Sequence, residues 1–338
     1  MLKRRDAIQE EESSNECKKV KYDTNWNDMP NEMKVMIMKN MDFITRTSLK
    51  MCSKSDKCLV EAFPMVVRYM KAYHQSKPRE PSKLYLIDRQ PSSNNSTLRL
   101  SQLNDKIKSN KNNKRIKVHN YKNKNEAFKT MENYFYSFLL AKKIRIESLE
   151  TNWNLNEEYI PASHMFRFEE VEINCKESEE CVKWLNCIAP GVKRISAGCA
   201  CDVKDIGDLP CILNAENLSF CKTDINDDQL LNFKATYLYL GKSNVTVDGI
   251  RKLVKKWIDE DYPIGSRFEI CIYSTPMPTI DQFFDGINCK LERFRIDEKY
   301  DDGETDYSVS KKMIRMGPNK VMYFKIDDCF DFCIKKFS

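Results

Sequence analysis

The sequence predicts an α+β fold in which a small N-terminal unit of three helices precedes a larger, irregular α/β solenoid. Two observations carry this prediction. Apolar residues recur at helical spacing between residues 23 and 66, and from residue 83 onward short strand-like segments alternate with helix-like segments. With 338 residues and 41% hydrophobic content, the chain is long enough to bury one large core beside the small unit.

The first helix is predicted to begin at Pro30, because proline suits the first helical position. Apolar residues recur every four positions along one face of this helix, at Met29, Met33, Ile37 and Met41. Asp42 and Ser55 are expected to cap the second and third helices. A unit of about 40 residues rarely buries enough apolar surface to be stable alone, so we expect another protein to cover part of this methionine-rich surface.

The same segment resembles an F-box. The residues that carry the resemblance are Met29, Pro30, Glu32, Met33, Ile37, Met41, Arg46 and Leu49. The family pattern begins with Leu-Pro, from which Met29 departs. The resemblance implies binding to the Skp-family adaptor of a cullin–RING ubiquitin ligase. The implied adaptor-binding residues are Trp26, Met29, Pro30, Met33, Ile37, Met41, Leu49 and Leu59. The alternative is an ordinary helical subdomain packed on the rest of the chain.

The fourteen cysteines suggest a disulfide framework, but the N-terminal sequence MLKRRDAIQEEESS contains no apolar signal stretch. No run approaches the length of a membrane span. We therefore expect a reducing compartment, cytoplasmic or nuclear or both, and no membrane association. Residues 1–22 are expected to be a disordered tail, residues 23–66 the F-box, and residues 67–82 a linker.

Residues 104–126 are predicted to be a basic insertion in the C-terminal domain. The stretch from Lys106 to Asn125 contains seven lysines, one arginine and no acid. Such a sequence cannot bury a face and predicts a solvated segment, although residues 115–118 suit a short strand. Nucleic-acid binding is a less favoured alternative, because no aromatic residue beyond Tyr121 is interleaved with these charges.

Strand-like segments between residues 168 and 296 predict the solenoid. Their centres lie 20 to 32 residues apart, at Ile173, Ile195, Leu218, Leu238, Ile270 and Phe294. All but one of these intervals fall in the leucine-rich-repeat range. Helix-like segments lie between the strands, at residues 179–188, 227–233, 247–258 and 279–287. We therefore expect an irregular leucine-rich-repeat-like solenoid over residues 83–338, with parallel strands and helices on its outer face.

The segment VTVDGIRKLVKKWI, followed by RFEICIY, resembles the F-box-associated (FTH-type) domain of a lineage-expanded F-box group, in which a helix that ends near a tryptophan precedes a strand. Alternation along residues 236–240 predicts that leucines face the core and tyrosines face outward. Because tyrosine and arginine often anchor protein interfaces, we expect a protein target to bind this face. The predicted target-binding residues are Tyr237, Tyr239, Glu269, Tyr273, Arg293 and Arg295, with Cys271 in the same exposed row. The alternative is that the tyrosines only cover the strands.

Catalytic chemistry is not indicated by any motif. The chain has three histidines, and none lies in a metal or nucleophile motif. Gly241-Lys242-Ser243 lacks the earlier glycine of a phosphate loop and is interpreted as a polar turn. The cysteines are expected to be thiols rather than metal ligands, because paired Cys-x-x-Cys knuckles are absent. We therefore expect no catalytic residues, metal or cofactor. The predicted function is that of a non-enzymatic ubiquitin-ligase substrate receptor with an unknown protein substrate; a ligase-independent interaction scaffold is the alternative.

Overall fold

The computed structural model describes residues 26–41, 43–63, 65–73, 82–88, 96–103, 106–111, 114–142, 144–198, 202–272, 277–287, 289–293, 312–326 and 329–336. The chain divides into two compact units, Met1–Met41 and Asp42–Ser338. The predicted tail, residues 1–22, and the predicted helix cap Asp42 lie outside the described residues.

In the first unit, a short 3₁₀ turn, Trp26–Asp28, precedes helix α1, Asn31–Asn40. Pro30 occupies the N-cap position, with φ −54° and ψ 147°. Its carbonyl accepts a hydrogen bond from the Lys34 backbone N–H at 3.0 Å. The helix therefore begins one residue later than predicted, because the backbone of Pro30 is still extended where its carbonyl accepts the first helical bond.

The second unit begins with helices α2, Phe43–Lys50, and α3, Lys54–Ala62. Ser53 caps α3, so the predicted cap, Ser55, is wrong and lies within the helix. The Asp56 backbone N–H donates to Ser53 Oγ at 3.0 Å, and Ser53 Oγ donates to the Asp56 carboxylate at 2.7 Å. This reciprocal pair requires the extended backbone of Ser53, with φ −154° and ψ 164°.

The described part of the second unit contains one mixed sheet of fifteen strands. They are β1 Met65–Tyr73, β2 Ser82–Asp88, β3 Ser96–Leu103, β4 Lys106–Lys111, β5 Lys114–Asn120, β6 Ile144–Thr151, β7 Glu170–Ile173, β8 Arg194–Ala197, β9 Asn217–Lys222, β10 Tyr237–Lys242, β11 Arg267–Cys271, β12 Leu291–Arg293, β13 Lys312–Gly317, β14 Lys320–Ile326 and β15 Cys329–Lys336. Their order across the sheet is β12-β13-β14-β15-β11-β10-β9-β8-β7-β6-β1-β2-β3-β4-β5.

Seven central strands are parallel, and β6 to β11 lie beside one another in chain order. The helices of this unit that follow α3 are α4 Lys124–Leu139, α5 Ser178–Asn186, α6 Pro210–Asn214, α7 Asp227–Asn232, α8 Val247–Asp259 and α9 Ile280–Phe284. Parallel neighbours require crossover connections, and α5 to α8 lie in four of them. The mixed α/β character that the sequence predicts is present in the structure, and the leucine-rich-repeat-like arrangement stays a prediction.

The two ends of the sheet differ from the predicted parallel stack. Strands β2 to β5 and β12 to β15 pair antiparallel with their neighbours. Residues 65–73, partly assigned to a linker, form β1, and its residues Val67, Met70 and Ala72 are buried. The basic segment supplies β4, β5 and the start of α4; β5 contains the short strand predicted at residues 115–118, whereas β4 and the start of α4 were not predicted. Antiparallel ladders satisfy backbone N–H and C=O groups even where few side chains are apolar, which explains this difference.

One face of the central strands is covered by the helices. The strand residues on this face are buried and include Val171, Ile173, Ile195, Ala197, Leu218, Phe220, Leu238, Leu240, Phe268 and Ile270. They form one hydrophobic cluster with Phe135 of α4, Trp184 of α5 and Trp257 of α8. The Trp184 indole N–H donates to the Trp153 carbonyl at 2.7 Å, which satisfies its polar atom inside the cluster. The opposite side of the central strands, which we call the open face, carries the alternate residues.

Candidate binding surfaces

Helix α1 exposes two methionine side chains on one side. Met33 is 52% exposed and Met36 is 66% exposed. Residues three apart on a helix are neighbours, so these two side chains form a patch that we call the methionine patch. Methionine is flexible and packs readily against varied partners, which suits a protein contact.

The other predicted adaptor-binding residues of the first unit lie close to this patch in sequence. Trp26, Met29, Ile37 and Met41 are half-buried, and Pro30 is exposed. The Lys34 ammonium lies 5.8 Å from the centroid of the Trp26 ring, within range of a cation–π interaction.

In the second unit, Leu49 of α2 and Leu59 of α3 are half-buried, and Arg46 of α2 is buried. Met51, between these helices, is 84% exposed. The predicted adaptor set omits Met36 and Met51, because neither residue lies on the four-residue apolar stripe. The clustering of methionine within this short segment is the signal that could have included them.

On the open face, residues from neighbouring strands line up in rows across the sheet. One row runs across six strands from β7 to β15 and consists of Glu172, Ser196, Ser219, Tyr239, Glu269 and Asp331. In this row, Ser196 and Ser219 lie between Glu172 and Tyr239. Neighbouring strands lie about 4.8 Å apart, so Glu172 and Glu269, which are four strands apart, lie about 19 Å from each other.

Three predicted target-binding residues lie on adjacent strands of the open face. Tyr237 is 40% exposed, and Tyr239 and Glu269 are half-buried, whereas Leu238 is buried on the covered face. Tyr239 pairs directly with Glu269 in the register of β10 and β11. The structure therefore brings these side chains together; their role in target binding stays a prediction.

The remaining predicted residues do not extend this group as expected. Tyr273 and Arg295 lie outside the described residues. Arg293 belongs to β12 at the edge of the sheet, and β13, β14 and β15 separate it from β11. The prediction that Arg293 continues the Tyr239 row is therefore wrong. Strand β15 takes the place beside β11, where Phe332 stacks on Phe268 with ring centroids 4.6 Å apart.

An arginine and two acids form the charged end of the open face. Arg267 makes a bidentate contact with Asp331, through Nε at 3.1 Å and Nη2 at 3.0 Å. Its Nη2 also lies 3.5 Å from Glu269 Oε2. Bidentate geometry fixes the guanidinium plane and makes this pair stronger than a single contact. Sequence reasoning missed Arg267 and Asp331 as partners because 64 residues separate them.

Near the other end of the central strands, Glu150 is buried and bonded to two residues of β1. The Lys71 ammonium lies 2.7 Å from Glu150 Oε1, and the Tyr69 hydroxyl donates to Glu150 Oε2. Burial, followed by the hydrogen bond to Glu150, raises the pKa of Tyr69 to about 12. The phenol donates to the carboxylate, and the raised pKa means that it keeps its proton above pH 10 in the folded chain.

Cys271 is 5% exposed and forms a disulfide with Cys329, its direct cross-strand partner. The predictions of an exposed Cys271 and of unpaired thiols are therefore wrong at this position. Cys221 is also disulfide-bonded. Among the described residues, one group of metal-ligating side chains was found, and it consists of Glu269, Cys271 and Cys329.

Comparisons with known proteins agree with the N-terminal resemblance. Residues 26–66 match the F-box domain family. The chain is similar to an uncharacterized F-box protein of Caenorhabditis elegans, with 22% identity over 258 residues. This similarity covers 69% of the chain and 66% of the relative, just under two thirds of the relative's length. No solved structure matches the chain.

Across the described residues, none of the helices combines the length and apolar character that crossing a membrane requires. The matched segment contains α1, α2 and α3, the methionine patch and Met51. The chain thus carries an F-box domain at residues 26–66, followed by a large mixed α/β sheet.

Proposed function

We propose that this protein is the substrate-receptor subunit of a cullin–RING ubiquitin ligase. The F-box domain binds a Skp-family adaptor, which connects the chain to the cullin, and the open face binds a protein target. The F-box match at residues 26–66 is the observation that carries this proposal. The chain itself performs no chemistry: it raises the effective concentration of target lysines near a ubiquitin-loaded enzyme. This role places the protein in the cytoplasm, the nucleus or both.

The methionine patch supports the adaptor contact. Large apolar side chains that are more than half exposed are costly in water unless a partner covers them, and the F-box segment holds Met33, Met36 and Met51 in this state. Burying an exposed methionine side chain contributes roughly 1.5–3 kcal/mol. We assign adaptor binding in the first unit to the methionine patch and the predicted set around Pro30 and Ile37, and in the second unit to Met51 beside the predicted Leu49 and Leu59.

The adaptor contact is tested by co-purification with a Skp-family adaptor. The Pro30→Ala/Ile37→Asp variant should lose adaptor capture, because it removes the fixed entry of α1 and places an unpaired charge in an apolar contact. Ile264→Asp is the matched control, since Ile264 is 54% exposed and lies outside the F-box domain. Full capture by the double variant, with unchanged circular dichroism, would disprove the adaptor role.

The open face supports target binding through its strand order and its composition. Strands β6 to β11 follow chain order, and their covered faces are apolar, which supports a leucine-rich-repeat-like domain. The sequence resemblance of residues 245–258 and 267–273 supports the FTH type. In the exposed rows, Tyr237 lies between Asn217 and Arg267, and Tyr239 lies between Ser219 and Glu269. Aromatic anchors beside small polar residues are typical of protein interfaces, where a few residues supply most of the affinity.

The target-binding face is tested by proximity labelling in cells. The Tyr237→Ala/Tyr239→Ala variant should lose its specific labelled proteins while it keeps adaptor capture. Tyr134→Ala is the control, because Tyr134 is 46% exposed but lies on α4. An unchanged set of labelled proteins would rule out this face. A different result would favour the ligase-independent scaffold: the wild-type chain labels specific proteins in cells but captures no adaptor in co-purification.

A further inference from the structure

The end of β11 and the start of β15 bring three metal-ligating side chains to one corner of the open face. Cys271 and Cys329 are direct register partners, and Glu269 lies two residues before Cys271 on the same strand. Alternate residues of a strand point to the same face, so the carboxylate and both sulfurs share one side. Their ligand atoms all lie within 4.8 Å of one another.

This spacing fits a tetrahedral zinc ion. Zn²⁺ binds thiolate sulfur at about 2.3 Å and carboxylate oxygen at about 2.0–2.2 Å, so adjacent ligands lie about 3.5–3.8 Å apart. Because Cys271 and Cys329 are direct register partners, both sulfurs, once reduced, stay within reach of one ion. Cys271 is buried and Cys329 half-buried, so both sulfurs are largely shielded from solvent. The three side chains would supply three of the four ligands of a tetrahedral site, and water would supply the fourth.

The neighbouring arginine is bonded more closely to Asp331 than to Glu269. Arg267 holds Asp331 through two contacts of 3.0 and 3.1 Å, whereas its contact with Glu269 is 3.5 Å. The Arg267–Asp331 pair therefore does not depend on Glu269. Thiolates select zinc and other soft divalent ions over magnesium and calcium, so the donor set defines the class of ion.

We propose that Cys271, Cys329 and Glu269 form a zinc-binding site when the two cysteines are reduced. The inference rests on the proposed ligase role, because that role places the chain in a reducing compartment where disulfides are rare. Each thiol releases its proton to the solvent as the ion binds. Bound zinc links β11 to β15 and fixes Glu269 beside Tyr239 on the open face.

The disulfide is the alternative, oxidised form of the same site. A small disulfide oxidant such as oxidised glutathione takes two electrons from the two thiols. The reaction forms the Cys271–Cys329 bond and releases two molecules of reduced glutathione, which carry the two thiol protons. A sulfur in a disulfide has no thiolate charge to offer, so zinc and the disulfide exclude each other.

The test is a zinc titration of the purified full-length chain, reduced with a phosphine and competed against a chromogenic chelator. Reduced wild type should bind one zinc ion at this site. Cys271→Ser and Cys329→Ser should bind it on the order of a hundredfold more weakly, and Glu269→Gln about tenfold more weakly, because each removes one anionic ligand. Cys333→Ser is the matched control on the same strand and should bind as wild type does.

Cobalt substitution supplies an independent readout, because the ultraviolet thiolate-to-cobalt band should halve in Cys329→Ser. Three results would each overturn the proposal: no zinc binding by the reduced wild type, binding by Cys271→Ser and Cys329→Ser as tight as that of the reduced wild type, or equally tight binding by the oxidised protein. These measurements need neither adaptor nor target. Failure of the zinc site is thus separate from failure of the ligase role, which adaptor capture tests.

Discussion

Gly241 offers a sharp test of how closely the central strands pack. It lies in β10, so the interpretation of Gly241-Lys242-Ser243 as a polar turn is wrong for its first two residues. A Cβ atom added at Gly241 would lie 2.6 Å from the backbone oxygen of Cys221 in β9. This oxygen belongs to the strand backbone and cannot rotate away, as a flexible side chain would.

The cost of Gly241→Ala follows from this distance. Restoring an ordinary contact of 3.4 Å requires β9 and β10 to separate locally by about 0.8 Å (3.4 − 2.6 Å). Overpacking of this kind costs about 1–3 kcal/mol, offset by roughly 0.4–1 kcal/mol because alanine restricts the unfolded chain. The two terms leave a net change of about 0 to 2.6 kcal/mol, and their midpoints give an expected loss of about 1.3 kcal/mol in the free energy of unfolding.

Urea unfolding, followed by circular dichroism, measures this loss directly. Gly317→Ala is the matched control, because a Cβ atom at Gly317 meets nothing within 4 Å. Its free energy of unfolding should equal that of wild type or exceed it by up to about 1 kcal/mol, because alanine restricts the unfolded chain there too. If Gly241→Ala unfolds at the same urea concentration as Gly317→Ala, the argument from close strand approach is refuted.

Two further predictions concern pH and helix capping. The pKa of Tyr69 is raised from 10.0 to about 12 in the folded chain. As pH rises, the unfolded state therefore loses this proton first, and stability falls between pH 10 and pH 12. In thermal melts, Tyr69→Phe should lose less stability than wild type between about pH 9 and pH 11. Thr246 caps the start of α8, where its Oγ1 accepts a hydrogen bond from the Gly249 N–H at 3.2 Å. Thr246→Ala should therefore lower the free energy of unfolding by about 0.5–2 kcal/mol. An unchanged urea midpoint would contradict this role of Thr246.

Sequence periodicity located the central elements because their patterns are local. The predicted helix at residues 247–258 corresponds to α8, Val247–Asp259, and the predicted strand at 236–240 overlaps β10, Tyr237–Lys242. Alternation also placed Leu238 and Leu240 on the covered face. In each case the side chains that decide burial lie within a few residues of one another.

The features that the sequence did not predict depend on distant contacts. Strand β15 pairs with β11 across more than fifty residues, and no local pattern records this antiparallel pairing. The Cys271–Cys329 bridge has a sequence separation of 58, and connectivity cannot be deduced from cysteine positions alone. The position of Arg293 was wrong for the same reason, because β15 displaced β12 from the neighbourhood of β11.

The pairing of β11 with β15 has a consequence for synthesis of the chain. Until residues 329–336 leave the ribosome, β11 has one unpaired edge, and Phe268 lacks the ring of Phe332. At ordinary translation rates this interval lasts on the order of several seconds. A nascent chain in this state exposes both strand-pairing groups and an aromatic surface, which makes it a substrate for chaperones until its last strand closes the edge.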